Sequence, residues 1–228
     1  MAVASTHSTP TVLGEGPTRE RLLDVAERLF AERGFAAASV RGITAEAGCN
    51  LAAVNYHFGG KDQLYEAVFR RRLGVMREQR LGSIRRILAA HGEASLEDLL
   101  RAFAAAFLEP LLAASDGRQC GALMSRELLE PHLPPGLFVR EIITPVHEEL
   151  AAALIPACPG LDAEAARRCT HSLVGQLVHF MRLERWLDSA PEESADRFPL
   201  PALVDHVVLF SAAGIRAAAG TGRREGEG

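Results

Sequence analysis

Between residues 40 and 58 a helical pattern stops at Gly48-Cys49-Asn50 and restarts at once, which confines this part of the chain to two short helices around a tight turn. Ile43 and Ala47 stand four apart and give the first helix an apolar stripe, which Gly48 ends because glycine tolerates a left-handed backbone. Asn50 is a good N-cap, since its side-chain oxygen can accept from an amide in the first turn of the next helix. At about 100° per residue, Leu51, Val54 and Phe58 share one side of that helix. Ala52, Ala53 and Tyr56 are left outward, with Asn55 and His57 on the flanks. Such a face is poor core material. Small residues let a helix approach base edges, Asn pairs with adenine, and Tyr and His donate to phosphates. The pattern reads as a helix-turn-helix, and its expected partner is double-stranded DNA.

The flanking sequence supports this reading. From Thr18, residues Leu22, Leu23, Ala26, Leu29 and Phe30 form a helical apolar face that stops at Gly34 and is expected to pack on the pair. Gly59-Gly60 ends the second short helix, and a further helix is expected from Lys61 to Leu81, apolar at Leu64, Val68 and Phe69. Lys61 stands in its first turn, where a cation opposes the helix dipole, so a nearby phosphate is its natural partner. Residues 18–80 hold eleven Lys and Arg against eight Asp and Glu, a net of +3 that leaves −7 for the rest of a chain whose total is −4. A basic head on an acidic body favours local attraction to DNA without general stickiness. The size of the acidic helical body argues against a constitutive architectural DNA binder, the alternative reading.

The order Phe35, Ser39-Val40-Arg41, Ile43-Thr44, Gly48 and Asn55-Tyr56-His57-Phe58-Gly59-Gly60-Lys61 resembles the N-terminal domain of the TetR family of bacterial repressors, over residues 18–65. The resemblance implies that Arg41 reaches a base or phosphate and that Leu51, Ala52, Ala53 and Asn55 line the major groove. It implies that Tyr56, His57 and Lys61 hold phosphates. Thr44 and Asn50 join the set expected to face DNA. Leu51 stands where a polar or basic residue is common in the family, and Asn55 where Tyr is frequent, which puts the operator sequence in question.

Beyond residue 80 no alternating strand pattern occurs, so the expected fold is all-α. A disordered tail over 1–17 precedes a helix-turn-helix domain over 18–64, an effector-binding and dimerisation domain over 65–219, and a disordered tail over 220–228. Within the body, helices are expected over Leu96–Ala114 with Pro110 inside, Gly121–Leu129, Leu137–Ile155 bent at Pro145, Ala163–Leu187 capped by Asp162, and Ala202–Ala219. No apolar run is expected to approach the roughly 18 residues that span a bilayer, and residues 1–16 have no secretory pattern, so a cytosolic location is expected. Cys49, Cys120, Cys158 and Cys169 have no metal-ligand spacing and are expected to be reduced thiols. Cys49 fits either a small half-buried turn residue or a redox-sensing thiol.

The last two long helices are too apolar for the surface of a monomer. Leu173, Leu177, Val207, Phe210, Ser211 and Gly214 are expected at a homodimer seam, which resembles the four-helix interface of TetR proteins. Dimerisation would set two recognition helices at half-sites roughly 34–36 Å apart. Met124-Ser-Arg-Glu-Leu-Leu-Glu-Pro131 and Phe138-Val-Arg-Glu-Ile-Ile-Thr-Pro145 resemble the CecR-like branch of the family, which implies a small-molecule effector and control of efflux or drug-response genes. Phe103, Phe107, Met124, Glu127, Phe138, His147, Gln176, His179 and Phe180 offer an apolar lining with a few polar groups, the usual make-up of a ligand pocket. His179 either orients a ligand or is a satisfied core histidine. There is no nucleophile elbow, no phosphate loop and no H-E-x-x-H, so neither enzyme activity, a cofactor nor a metal is expected.

Overall fold

The computed structural model describes residues 15–90, 95–112, 116–187 and 199–225, and every regular element among them is helical. The order is α1 (Glu15–Ala37), α2 (Val40–Glu46), α3 (Ala52–Phe58), α4 (Lys61–Leu88), α5 (Leu96–Leu112), α6 (Asp116–Leu129), a π-helical turn (Val139–Ile143), α7 (Thr144–Ala157), α8 (Ala163–Leu187) and α9 (Leu200–Glu225). Helix enters both segments expected to be tails. α1 starts at Glu15 rather than Thr18 and α9 continues to Glu225, whereas residues 1–14 and 226–228 lie outside the described residues.

The head forms where α1 packs across α2, α3 and the start of α4. Leu22, Phe30, Ile43, Val54, Leu64 and Phe69 are fully buried there, so each short helix supplies one anchoring apolar side chain. α4 carries the head into the body without a break at residue 64 or 65 and ends at Leu88 instead of Leu81. Glu27 straps α1 to α4: its buried carboxylate accepts from Arg71 at 2.8 Å and from Arg72, and Asp24 also takes Arg71 at 2.7 Å.

α1 turns sharply at Gly34, whose φ of 80° and ψ of 171° belong to a region that glycine alone adopts freely. A Cβ there would also come within 3.2 Å of the Arg126 guanidinium. Gly34→Ala is therefore expected to cost about 1–3 kcal/mol of stability, read as a lowered midpoint in chemical denaturation. A midpoint equal to wild type would mean that the turn relaxes without strain.

In the body α5 lies between α4 and α9, and α7 packs on α8. The expected bend at Pro145 is a π-helical turn just before it, in which Thr144 N–H bonds to Val139 O. Proline has no N–H to give to the carbonyl four residues back and its ring crowds that carbonyl. Here that group is Glu141 O, which instead accepts from Arg77 Nη1 on α4 at 3.0 Å. The cap expected at Asp162 is present, with Ala165 N–H donating to Oδ1 at 2.7 Å. One expectation fails: Leu200–Gly220, with a mean hydropathy of 1.4, is long and apolar enough by composition to cross a bilayer. In the fold one face of this helix is buried against α5 and α8, and Asp205 and Arg216 pair with Arg101 and Glu97 at 2.7 and 2.6 Å.

Candidate nucleic-acid interface

The α2–turn–α3 unit is built by local capping. Ser39 Oγ accepts from Gly42 N–H at 3.0 Å to start α2, and Gly48, at φ 65°, turns the chain so that Cys49 N–H reaches Thr44 O at 3.0 Å. Asn50 Oδ1 then accepts from Ala53 N–H at 2.9 Å, so its side chain works as a cap. α3 ends on Gly59 at φ 90°. Arg21 Nε holds the Ala47 carbonyl at 3.3 Å, which ties the turn to α1.

Val54 is the single fully buried side chain of α3, and Phe58 is half-buried beneath the Arg19 guanidinium at 5.2 Å. Ala52, Asn55 and Tyr56 are exposed, Tyr56 at 72%, with Ala53 and His57 at the edge of the face. Two placements differ from the sequence reading. Leu51 is 52% exposed rather than on the packed side: its backbone is helical, but it precedes the first residue of α3 and its side chain is left largely uncovered. Thr44 is 3% exposed and its hydroxyl donates to Val40 O at 3.0 Å, so it belongs to the packing of α2 and offers nothing to DNA. Arg41 is exposed on α2, close to the same surface in sequence.

Lys61 begins α4 directly after the two glycines. Its ammonium lies 4.4 Å over the Phe35 ring and donates to Ala36 O at 3.4 Å, using one of its three donors. Partial burial lowers its pKa, with Asp62 opposing. Cys49 donates to Thr44 O at 3.6 Å and burial pushes its thiol pKa up, the opposite of what a redox-sensing thiolate needs.

The residues expected to hold an effector fall into three places. Phe103 and Phe107 are buried on α5, Met124 and Phe138 are half-buried against the core, and the ring of His147 packs edge-on to His171 at 4.8 Å. Glu127 lies apart from these. It is buried where head and body meet, accepting from Tyr65 OH at 3.0 Å, His132 N–H at 3.1 Å and Leu133 N–H at 2.9 Å. Burial and the Glu127 carboxylate push the Tyr65 phenol far above its ordinary pKa, so it remains a donor. Beside it Arg126, which the sequence offers as an internal ion pair or a solvated face, donates instead to Ala31 O at 2.9 Å and Glu32 O at 2.7 Å on α1. No local pattern marks this contact, since its partners lie more than ninety residues away and are backbone atoms.

Gln176, His179 and Phe180 belong instead to the outer face of α8 and α9. Gln176 Nε2 donates to Ser211 Oγ at 3.2 Å, His179 is exposed, and Phe180 is half-buried beside His206. Three of the expected seam residues, Leu173, Leu177 and Val207, are fully interior to the protomer, and Ser211 is buried as well. What remains outward is a strip of His206, Leu209, Phe210, Ala213 and Gly214, with Phe210 at 64% exposure. Periodicity does not separate the buried from the outward set, because apolar residues stand on both faces of α9.

A small capped helix pair, presented on a three-helix head and locked to a helical body, defines a helix-turn-helix regulator of transcription. Comparison with known proteins agrees. Residues 22–68 match the bacterial regulatory proteins of the tetR family, and residues 96–215 match the C-terminal domain of the HTH-type transcriptional dual regulator CecR. CecR of Shigella flexneri is 31% identical over 75% of this chain and 78% of its own. The transcriptional repressor KstR2 of Rhodococcus jostii is 35% identical over 38% of this chain and 42% of its own. The fatty acid degradation regulator FadR from Bacillus halodurans, 18% identical, shares the fold with a TM-score of 0.63 over 92% of this chain and 99% of its own. The chain belongs to the TetR family of transcriptional regulators, with a CecR-type C-terminal domain.

Proposed function

We propose that this regulator is a homodimeric repressor that leaves a palindromic operator when a small-molecule inducer binds its body, and that its targets are efflux or drug-response genes. The observation that carries the DNA role is the exposed face of α3, with Ala52, Asn55 and Tyr56 outward around an anchored Val54. Arg41, Leu51, Ala52, Ala53 and Asn55 are assigned to base edges; Asn50, Tyr56, His57 and Lys61 are assigned to the backbone. Lys61 would exchange its Ala36 contact for a phosphate, a stronger acceptor for an ammonium than a carbonyl. Leu209, Phe210 and Gly214 on α9 are the seam, supported by their exposure on the face of α9 turned away from the core.

The link between effector and DNA is mechanical. α4 joins Lys61 to the body and the Arg126 and Glu127 contacts lock α6 to the head, so a ligand that binds one arrangement of α4 and α6 better shifts the spacing of the two heads. The test is binding to DNA from upstream of this gene, followed by fluorescence anisotropy across a salt series. Tyr56→Ala and Lys61→Ala are each expected to weaken binding to all sequences alike, and Lys61→Ala, which removes a cation, is also expected to reduce the salt slope by about 0.9. Wild-type affinity and slope in both variants would remove the phosphate assignment.

A further inference from the structure

Arg80 is the most buried charged side chain that α4 sends into the body, at 8% exposure. Five other arginines of that helix are matched with acids: Arg70 with Glu66 and Glu141, Arg71 and Arg72 with Glu27, Arg77 with Glu141, and Arg85 with Glu149, while the exposed Arg86 donates to Gly82 O. Among the described residues Arg80 has no such partner; its guanidinium stacks on the Phe107 ring, 3.7 Å from the centroid. Burial pushes its pKa down to about 10, which still leaves it a cation at neutral pH. Two buried polar atoms of the body lack a hydrogen-bond partner among the described residues. His147 on α7 has a buried Nδ1 without a hydrogen-bond partner, and burial together with the fields of His171 and Arg80 lowers its pKa. The Thr170 hydroxyl on α8, next to His171, is buried and unpartnered too.

Burying a guanidinium without a counter-charge is costly, and a fold retains such a group where something else supplies the charge. Phe107 covers the guanidinium with apolar surface and Phe103 lies beside it, their ring centroids 6.2 Å apart, and the fork of an arginine fits a planar carboxylate with two hydrogen bonds. We propose that the effector is an amphipathic organic carboxylate, its anionic group paired with Arg80 and its apolar part set against Phe103 and Phe107, with His147 as a neutral hydrogen-bonding neighbour. This deepens the reading of the body as an effector domain and rests on it. Arg80 and Lys61 lie on one helix, so pairing Arg80 with a carboxylate acts on the element that begins at the DNA face.

The test uses the full-length protein and two matched pairs of ligands, decanoate with decanol and benzoate with benzyl alcohol, in calorimetric titrations and thermal shift. At least one carboxylate is expected to bind about ten- to a hundredfold more tightly than its alcohol, the worth of a charge-assisted hydrogen bond. Arg80→Met should erase that preference while leaving the free protein as stable as wild type or more so, because the uncompensated charge is gone. Arg80→Lys should keep the sign of the preference with a smaller ratio. No preference for carboxylate in wild type, or a preference unchanged in Arg80→Met, would overturn the proposal; the ligand comparison in wild type stands even if a variant fails to fold. Operator affinity measured with the same ligands separates the two readings. A carboxylate that binds through Arg80 without moving operator affinity upholds the site and removes the effector mechanism, whereas release by the alcohols as readily as by the carboxylates removes the site and upholds the mechanism.

Discussion

Phe210→Glu is expected to give a monomeric protein that holds operator DNA about a hundredfold or more weakly than wild type. Linked binding of two heads exceeds the affinity of one by factors on the order of 10² to 10⁴, all of which is lost when the link breaks. Phe210 is suited to the test because it is 64% exposed in the protomer, so a carboxylate there leaves the protomer core intact while opposing a second copy of the same face. Isologous contact doubles the effect, since each substitution meets the partner's strip once. Sedimentation velocity reads the oligomeric state and anisotropy reads the affinity. A Phe210→Glu protein that sediments as a dimer would place the seam elsewhere.

Glu127→Leu is expected to lower stability by about 3 kcal/mol and the thermal midpoint by about 10 °C, since a chain of this length loses roughly 2–4 °C per kcal/mol. The carboxylate serves Tyr65 OH and the two amides of His132 and Leu133. Removing it orphans a buried phenol at a cost of about 1–3 kcal/mol and releases the loop that follows α6. Glu127→Gln retains a carbonyl oxygen and should lose about half as much. The same variants report on coupling: with the latch open, the head should respond less to whatever binds the body. Glu127→Leu within 0.5 kcal/mol of wild type would show that solvent satisfies these donors as well as the carboxylate does.

The head was legible because its information is local. Gly48, Asn50, Gly59 and Gly60 impose turns and caps through their own backbones, and Val54 and Ile43 stand at helical spacing from the groups they pack with. Thr44 and Leu51 were misplaced for the same reason. A hydroxyl that returns to its own helix looks like any exposed threonine, and the helical wheel gives the direction of Leu51 without saying whether any neighbour covers the mouth of the helix.

The body was legible only as helices. Leu173, Leu177 and Val207 were expected at a seam and lie in the core, whereas Glu127 was expected in a pocket and serves as a latch between head and body. Periodicity reports that a face is apolar without saying which neighbour covers it.

What the amino-acid sequence determined by itself is therefore the all-helical architecture, the position of the DNA-reading pair and the family, all of which follow from spacings of a few residues. The tertiary structure alone decided which apolar face of α9 is free, which carbonyls Arg126 grips across more than ninety residues, and that Arg80 is buried without an acid. Those depend on contacts between helices distant in sequence, where packing chooses among faces that look equivalent along the chain.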